Sequence, residues 1–228
     1  MSNRKIQPRA RRNPHRQPAR RFVVVCEGDT EVSYFTHINQ VLRGGAVVVK
    51  AVQKRTDPQN IVALAAAYKN GDPQKGIEAC LADDEVWAVF DGDAGANEVL
   101  PALQEARRQG VQVAVSVPEF EVWFVWHYAD YSVFGSTKDD VERQLLKHWP
   151  GYQKGISLDF GKLPRGGLSK ARKRASEIEA IHKRDNRAFP TNNPSSTVHV
   201  LMEAIIQAWE ESHGHGKQCP LAEPLVSQ

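Results

Sequence analysis

The sequence predicts an α/β protein with a roughly four-stranded, mainly parallel sheet and a mainly helical C-terminal half. Three observations lead there. Four short apolar runs, rich in Val, have the length of buried strands. The segments between them carry apolar residues at helical spacing, and alternation of strand and helix builds a parallel sheet with right-handed crossovers. Beyond Pro118 the strand-like runs give way to helical patterns.

Phe22 to Cys26 is the first expected strand. Gly28-Asp29-Thr30 supplies a turn, and Asp29 or Thr30 can cap the helix that follows. Val32, Phe35, Ile38 and Leu42 line that helix until Gly44-Gly45 stops it. Ala46 to Val52 is the second strand. Pro58 opens the second helix, with Ile61, Leu64, Ala65 and Tyr68 as apolar positions, and a polar connection runs from Asn70 to Gly76. Val86 to Phe90 is the third strand, ending on Asp91. Ala96 to Gln109 is a helix faced by Val99, Leu103 and Ala106 and closed by Gly110, and Val111 to Val117 is the fourth strand. Glu119 to Tyr128 reads as a buried aromatic helix, and Asp139 to Trp149 as an amphipathic one. A glycine-rich loop leads to a basic helix, Ser169 to Arg184. The last helix starts after Asn193-Pro194, with Ser195 or Ser196 as cap and Val198, Leu201, Met202, Ile205, Ile206 and Trp209 on one face.

These elements make one domain over residues 22–211, with the sheet core in 22–118 and the helical part in 119–211. A basic arm (1–21) precedes it and a frayed tail (212–228) follows. The chain has 228 residues, 41% of them hydrophobic, enough for one packed core. The net charge of +3 conceals an asymmetry. Residues 1–21 hold eight Lys or Arg and no acid, which leaves 22 basic against 27 acidic residues beyond them, a body at −5. The arm is expected to be disordered alone. It is either a salt-sensitive grip on a phosphate backbone or a solvated tail. No run of about 18 apolar residues is present, so no membrane span is expected. The N-terminus lacks the apolar core of a secretory signal. Three scattered cysteines, Cys26, Cys80 and Cys219, suit a reducing cytoplasm, which is the expected location.

Carboxylates gather where the strands end: Glu27 and Glu31 after the first, Asp91 and Asp93 after the third, Glu119 after the fourth with Glu121 close behind. Ligands of open α/β sheets sit at those ends. Acids collected there repel one another and stay ionised together only around a cation. Oxygen donors suit Mg²⁺ or Mn²⁺. Within a strand Asp91 and Asp93 would point to opposite faces, but at its end the turn lets both reach one ion, and Gly92 and Gly95 loosen that turn. Glu119 is preferred as the inward acid because it lies closest to the strand end. The set by itself does not separate nuclease, topoisomerase-like, primase-like or phosphatase chemistry. A zinc site at His213, His215 and Cys219 is disfavoured, because no second cysteine pair accompanies them. No P-loop is present, so any ATP hydrolysis belongs to a partner.

The pieces VVCEGDTEVSYF, EVWAVFDGDAG, SVPEFEVWFVWHY, GYQKG and NPSSTVHVLMEAI, spread through residues 22–206, together resemble the RloB family of bacterial proteins. The chain departs from the pattern at Pro118, where an Asn-Pro pair is expected. The resemblance implies a Toprim-like (Rossmann-like) core with a catalytic Glu after the first strand, here Glu27, and an Asp-x-Asp after a later one, here Asp91 and Asp93. Glu31 matches the second acid of the first motif, as in overcoming-lysogenization-defect-type Toprim nucleases. The resemblance also implies a role in phage defence, of the abortive-infection kind, beside an ABC- or AAA-type ATPase.

A metal-dependent nuclease acting on DNA or RNA, tRNA included, is therefore expected. Glu27, Asp91 and Asp93 would hold one or two Mg²⁺ (or Mn²⁺), and Glu31 and Glu119 would complete the second ion or orient water. Lys154, on the glycine-flanked loop GYQKG, is chosen as the basic group facing the phosphate, ahead of Lys162 and Arg165; its plain alternative is a surface lysine. The basic helix either grips a backbone or is a solvated face. Two other functions stay open: a non-catalytic subunit that binds the ATPase or a phage trigger, and a hydrolase of small nucleotides. A second copy of the chain stays open as a partner.

Overall fold

The computed structural model describes residues 19–42, 47–155, 158–214 and 217–221. The order of elements is β1 (Arg20–Cys26), α1 (Asp29–Val41), β2 (Val47–Gln53), α2 (Pro58–Asn70), β3 (Glu85–Asp91), α3 (Ala96–Gln109), β4 (Gln112–Val117), α4 (Glu121–Tyr128), α5 (Lys138–His148), α6 (Gly167–Arg184), β5 (Ser195–Ser196) and α7 (Val198–His213). The α/β class and the helical second half are as the sequence predicts, and the architecture is consistent with a Rossmann-like core.

The sheet has five strands in the order β2-β1-β3-β4-β5. The first four run parallel, and β5 pairs antiparallel with β4. This fifth strand was not expected; Ser195 and Ser196 lie in it, and Thr197 takes the N-cap position of α7, while Ser196 Oγ still accepts Val198 N–H at 3.3 Å. Pairing with β4 wins because the segment brings its own polar partners. Thr197 N–H donates to the Val115 carbonyl (3.0 Å), Val115 N–H donates to Thr197 Oγ1 (2.9 Å), and the Ser116 and Ser196 hydroxyls meet at 2.9 Å.

Strand alternation divides the core. Phe22, Val24 and Cys26 of β1 and Trp87 and Val89 of β3 share one apolar cluster with α1, α4, α6 and α7. Val23, Val25, Val86, Ala88 and Phe90 face the other way, onto Ile61, Val62 and Ala65 of α2 and Val99, Ala102 and Ala106 of α3. The chain leaves β1 for β2 on one side and crosses back to β3 on the other. The carboxyl ends of β1 and β3 thus flank a topological switch point, where open α/β sheets form crevices.

Two boundaries differ from expectation. Residues 1–18 of the basic arm lie outside the described residues, but Arg20 and Arg21 extend β1, paired with Glu85 (2.7 Å) and Asp84 (2.7 Å). His215 and residues 222–228 likewise lie outside them, whereas Cys219 and Leu221 are buried against the core. No helix among the described residues is long and apolar enough to cross a membrane.

Candidate active site

The site grows from the ends of β1 and β3. Glu27 N–H donates to the Val89 carbonyl at 3.0 Å, and Glu27 Oε2 accepts from Asp91 N–H at 3.1 Å. Asp91 is the last residue of β3 and continues the face of Trp87 and Val89, so its side chain turns toward α1 and α4. Its Oδ1 accepts Phe120 N–H at 2.8 Å, at the entrance to α4. That helix is apolar nearly all round, which buries it, and its first residue, Glu121, is buried with it.

Glu119 and Glu121 converge with Asp91 on one ammonium. Lys154 Nζ lies 2.9 Å from Glu119, 3.2 Å from Glu121 and 3.7 Å from Asp91. Glu121 Oε1 also accepts from Tyr152 OH at 2.5 Å and from Thr30 Oγ1 at 3.5 Å. Thr30 in turn accepts Gly155 N–H at 3.4 Å, which ties the Tyr152–Gly155 loop to α1. A second ammonium, Lys138 Nζ, lies 4.0 Å from Asp91 and in direct contact with Asp93.

Neither Asp29 nor Thr30 caps α1; its N-cap is Gly28, with no side-chain cap. The local reason is that both side chains are engaged elsewhere. Thr30 is turned into the acid cluster, and Asp29 is turned out to Gln53 and Arg55. Glu31 folds back over Gly28, where a Cβ would stand 2.7 Å from Glu31 Oε2.

Six carboxylates, Glu27, Glu31, Asp91, Asp93, Glu119 and Glu121, thus share one end of the sheet with two lysines. The surplus of negative charge shows in proton affinities. Burial, and then repulsion from Glu121 and Glu27, raises Glu31 to about 7. Burial and then Glu121 raise Glu119 to about 7. Burial and then Glu31 hold Asp91 well above the usual carboxylate range, and burial raises Glu27. Burial opposes the charge of Lys154, but Glu121, Asp91 and Glu119 outweigh it and raise its pKa. Lys138 is raised in the same way, Asp93 and Asp91 outweighing burial. These directions follow from burial first and then from the crowding of like charge.

The five acids singled out in sequence do come to one region, but not into one coordination shell. Among the described residues, no three Asp, Glu, His or Cys side chains stand ready to hold a metal ion. Asp93 is turned outward to Lys138, Glu119 is bound to Lys154 and Glu31 is tucked over Gly28. The donor set itself suits a hard divalent ion: all oxygen, largely buried and under-neutralised. Of the basic residues weighed from sequence, it is Lys154 that reaches the acids; Lys162 accepts from Tyr128 OH through its carbonyl at 2.8 Å.

Sequence reasoning undervalued Glu121 and missed Lys138 and Tyr152. Glu121 carried a signal, since a Glu amid Val, Trp and Phe at a helix start must find a partner. The basic helix α6 is largely neutralised within the fold. Arg172 pairs with Glu203 (3.4 Å), Lys173 with Glu177 (3.8 Å), Arg174 with Asp130 (2.5 Å) and Lys183 with Glu179 (2.6 Å). The aromatics of 120–126 are core, not a stacking platform.

A family model described as RloB-like protein matches residues 22–205. No curated protein and no solved structure matches the chain.

Proposed function

The chain belongs to the RloB-like family, and from that premise we propose that it is a metal-dependent nuclease effector of bacterial anti-phage defence, hydrolysing phosphodiester bonds in DNA or RNA, tRNA included. The observation that carries the chemistry is the surplus of carboxylates at the switch point of the sheet, six against two ammonium groups, with Glu31, Asp91, Glu119 and Glu121 buried. The defence setting, the Toprim-like reading and an ABC- or AAA-type ATPase partner rest on the family resemblance.

Glu27, Asp91 and Asp93 would hold a Mg²⁺ or Mn²⁺ ion, with Glu31 and Glu119 completing the set. Such an ion supplies Lewis acidity and lowers the pKa of bound water. The chain's own groups do the rest. Lys154 offers fixed positive charge against a phosphate, and Tyr152 and Thr30 hold Glu121 so that Lys154 keeps its place. A groove of about 450 Å³ opens beside the acids, lined by Glu27, Asp29, Arg55, Thr56, Lys154 and Gly155, and would offer a substrate strand a path.

Asp91→Asn tests the reading. With Mg²⁺ or Mn²⁺ and the ATPase partner present, the wild-type chain is expected to cut DNA or RNA. The variant should lose about 10³-fold or more while unfolding at the same temperature or higher, since a crowded charge is gone. Equal cleavage by both proteins sinks the assignment of Asp91. Equal phage protection by both, with nucleic acids intact, moves the reading to a non-catalytic subunit that engages the ATPase or a phage trigger. One observation favours that second reading: Lys154 and Lys138 pair directly with the acids.

A further inference from the structure

Building on the metal-site reading above, we infer that Lys138 is an internal counter-ion that competes with the divalent cation for Asp91 and Asp93, so that metal uptake requires the lysine to swing out. The two carboxylates form the Asp-x-Asp at the end of β3, and the gap between them is where one ion would meet both. The Lys138 ammonium stands there, touching Asp93 and 4.0 Å from Asp91. A divalent ion and an ammonium cannot share that gap, since they are like charges competing for the same oxygens.

The two lysines are built differently. Lys154 is held by Glu119, Glu121 and Asp91 on a loop tied to Thr30. Lys138 is the first residue of α5, its side chain is 40% exposed, and its ion pairs are with Asp91 and Asp93. Its helix is anchored without it. Thr137 and Asp140 close a capping box, and Val141 and Leu145 are buried. A four-carbon stem can therefore turn to solvent while the backbone of α5 stays in place. The helix start thus becomes a gate on metal affinity: acids neutralised by Lys138 when the free ion is scarce, by the ion when it is plentiful.

The test uses the full chain and two readouts other than cleavage. Mn²⁺ titrations followed by electron paramagnetic resonance compare wild type, Lys138→Met and Lys138→Arg. Lys138→Met should bind Mn²⁺ about tenfold tighter, and Lys138→Arg should stay close to wild type. Reductive methylation of the wild-type chain, read by mass spectrometry, should label Lys138 faster as Mn²⁺ saturates the site, with Lys154 unchanged. The second readout needs no variant, so misfolding of Lys138→Met cannot obscure the result. Wild type that binds Mn²⁺ with no change in Lys138 labelling overturns this inference alone, as does Lys138→Met that binds equally or more weakly. Failure of wild type and Lys138→Met alike to take up Mn²⁺ overturns both the inference and the metal-site reading.

Discussion

Gly28 and Gly92 both stand beside site acids, yet for unlike reasons. At Gly28 an added Cβ would meet only the end of the Glu31 side chain, 2.7 Å away. That chain can move, so Gly28→Ala is expected to fold with a Tm within about 2 °C of wild type and to bind Mn²⁺ several-fold more weakly as Glu31 is pushed aside. At Gly92 the Cβ would meet Val117 Cγ2 at 2.7 Å and Phe189 Cε2 at 3.0 Å. Those atoms are packed, and overpacking costs about 1–3 kcal/mol, so Gly92→Ala should lower Tm by several degrees in a thermal melt. Equal Tm losses in both variants would contradict this division. The sequence reading took Gly92 as loosening the turn; what the residue provides is room. Its reason lies 25 residues away in Val117, out of reach of local patterns. Lys138 was hidden in the same way, because a lysine at a helix start reads as an ordinary solvated charge. Glu27, Asp91 and Asp93 were legible because an acid closing an apolar run is itself a local anomaly.

Element by element, the strongly periodic segments were the readable ones. α3 runs from Ala96 to Gln109 and is closed by Gly110, within the bounds its pattern indicated, and Gly110 adopts the left-handed conformation (φ 64°) that ends helices. β5 was illegible, since two serines carry no hydrophobic period; only tertiary pairing to β4 makes them a strand. The basic helix α6 shows how far charge counts mislead. Its Lys and Arg side chains looked free in sequence, but Lys173 and Lys183 have Glu177 and Glu179 one turn away. The double substitution Lys173→Ala/Lys183→Ala is therefore expected to leave nucleic-acid affinity within about twofold and to change the slope of log K against log salt by less than about one. A filter-binding titration over several salt concentrations checks it. A slope reduced by about two would make α6 a backbone grip after all.

At the scale of the whole molecule, the fold concentrates like charge in its interior, at a cost that a bound cation would relieve. Glu31 shows the sign. Its folded pKa, about 7, lies above its ordinary value of 4.5, so the folded state binds more protons between these limits. Stability therefore falls as pH rises from about 4.5 to 7, and the penalty is complete above that. His127 acts in the opposite sense. It is buried and lowered to about 4, so its contribution is present above about 6.5 and is lost as pH falls toward 4. These opposing slopes overlap, with Glu119, Asp91 and Glu27 adding to that of Glu31, and a wild-type stability curve cannot separate them. Glu31→Gln can, because it removes the Glu31 slope and keeps that of His127. The Tm of the variant minus that of wild type should be near zero at pH 5 and rise to several degrees at pH 8, since about 1 kcal/mol moves Tm by about 2–4 °C in a chain of this size. Saturating Mg²⁺ should then raise wild type more than the variant at pH 8, because an ion that binds only the folded state stabilises it by its occupancy. A difference that stays flat from pH 5 to pH 8 would mean that Glu31 is an ordinary carboxylate and that the interior charge is not what drives cation uptake.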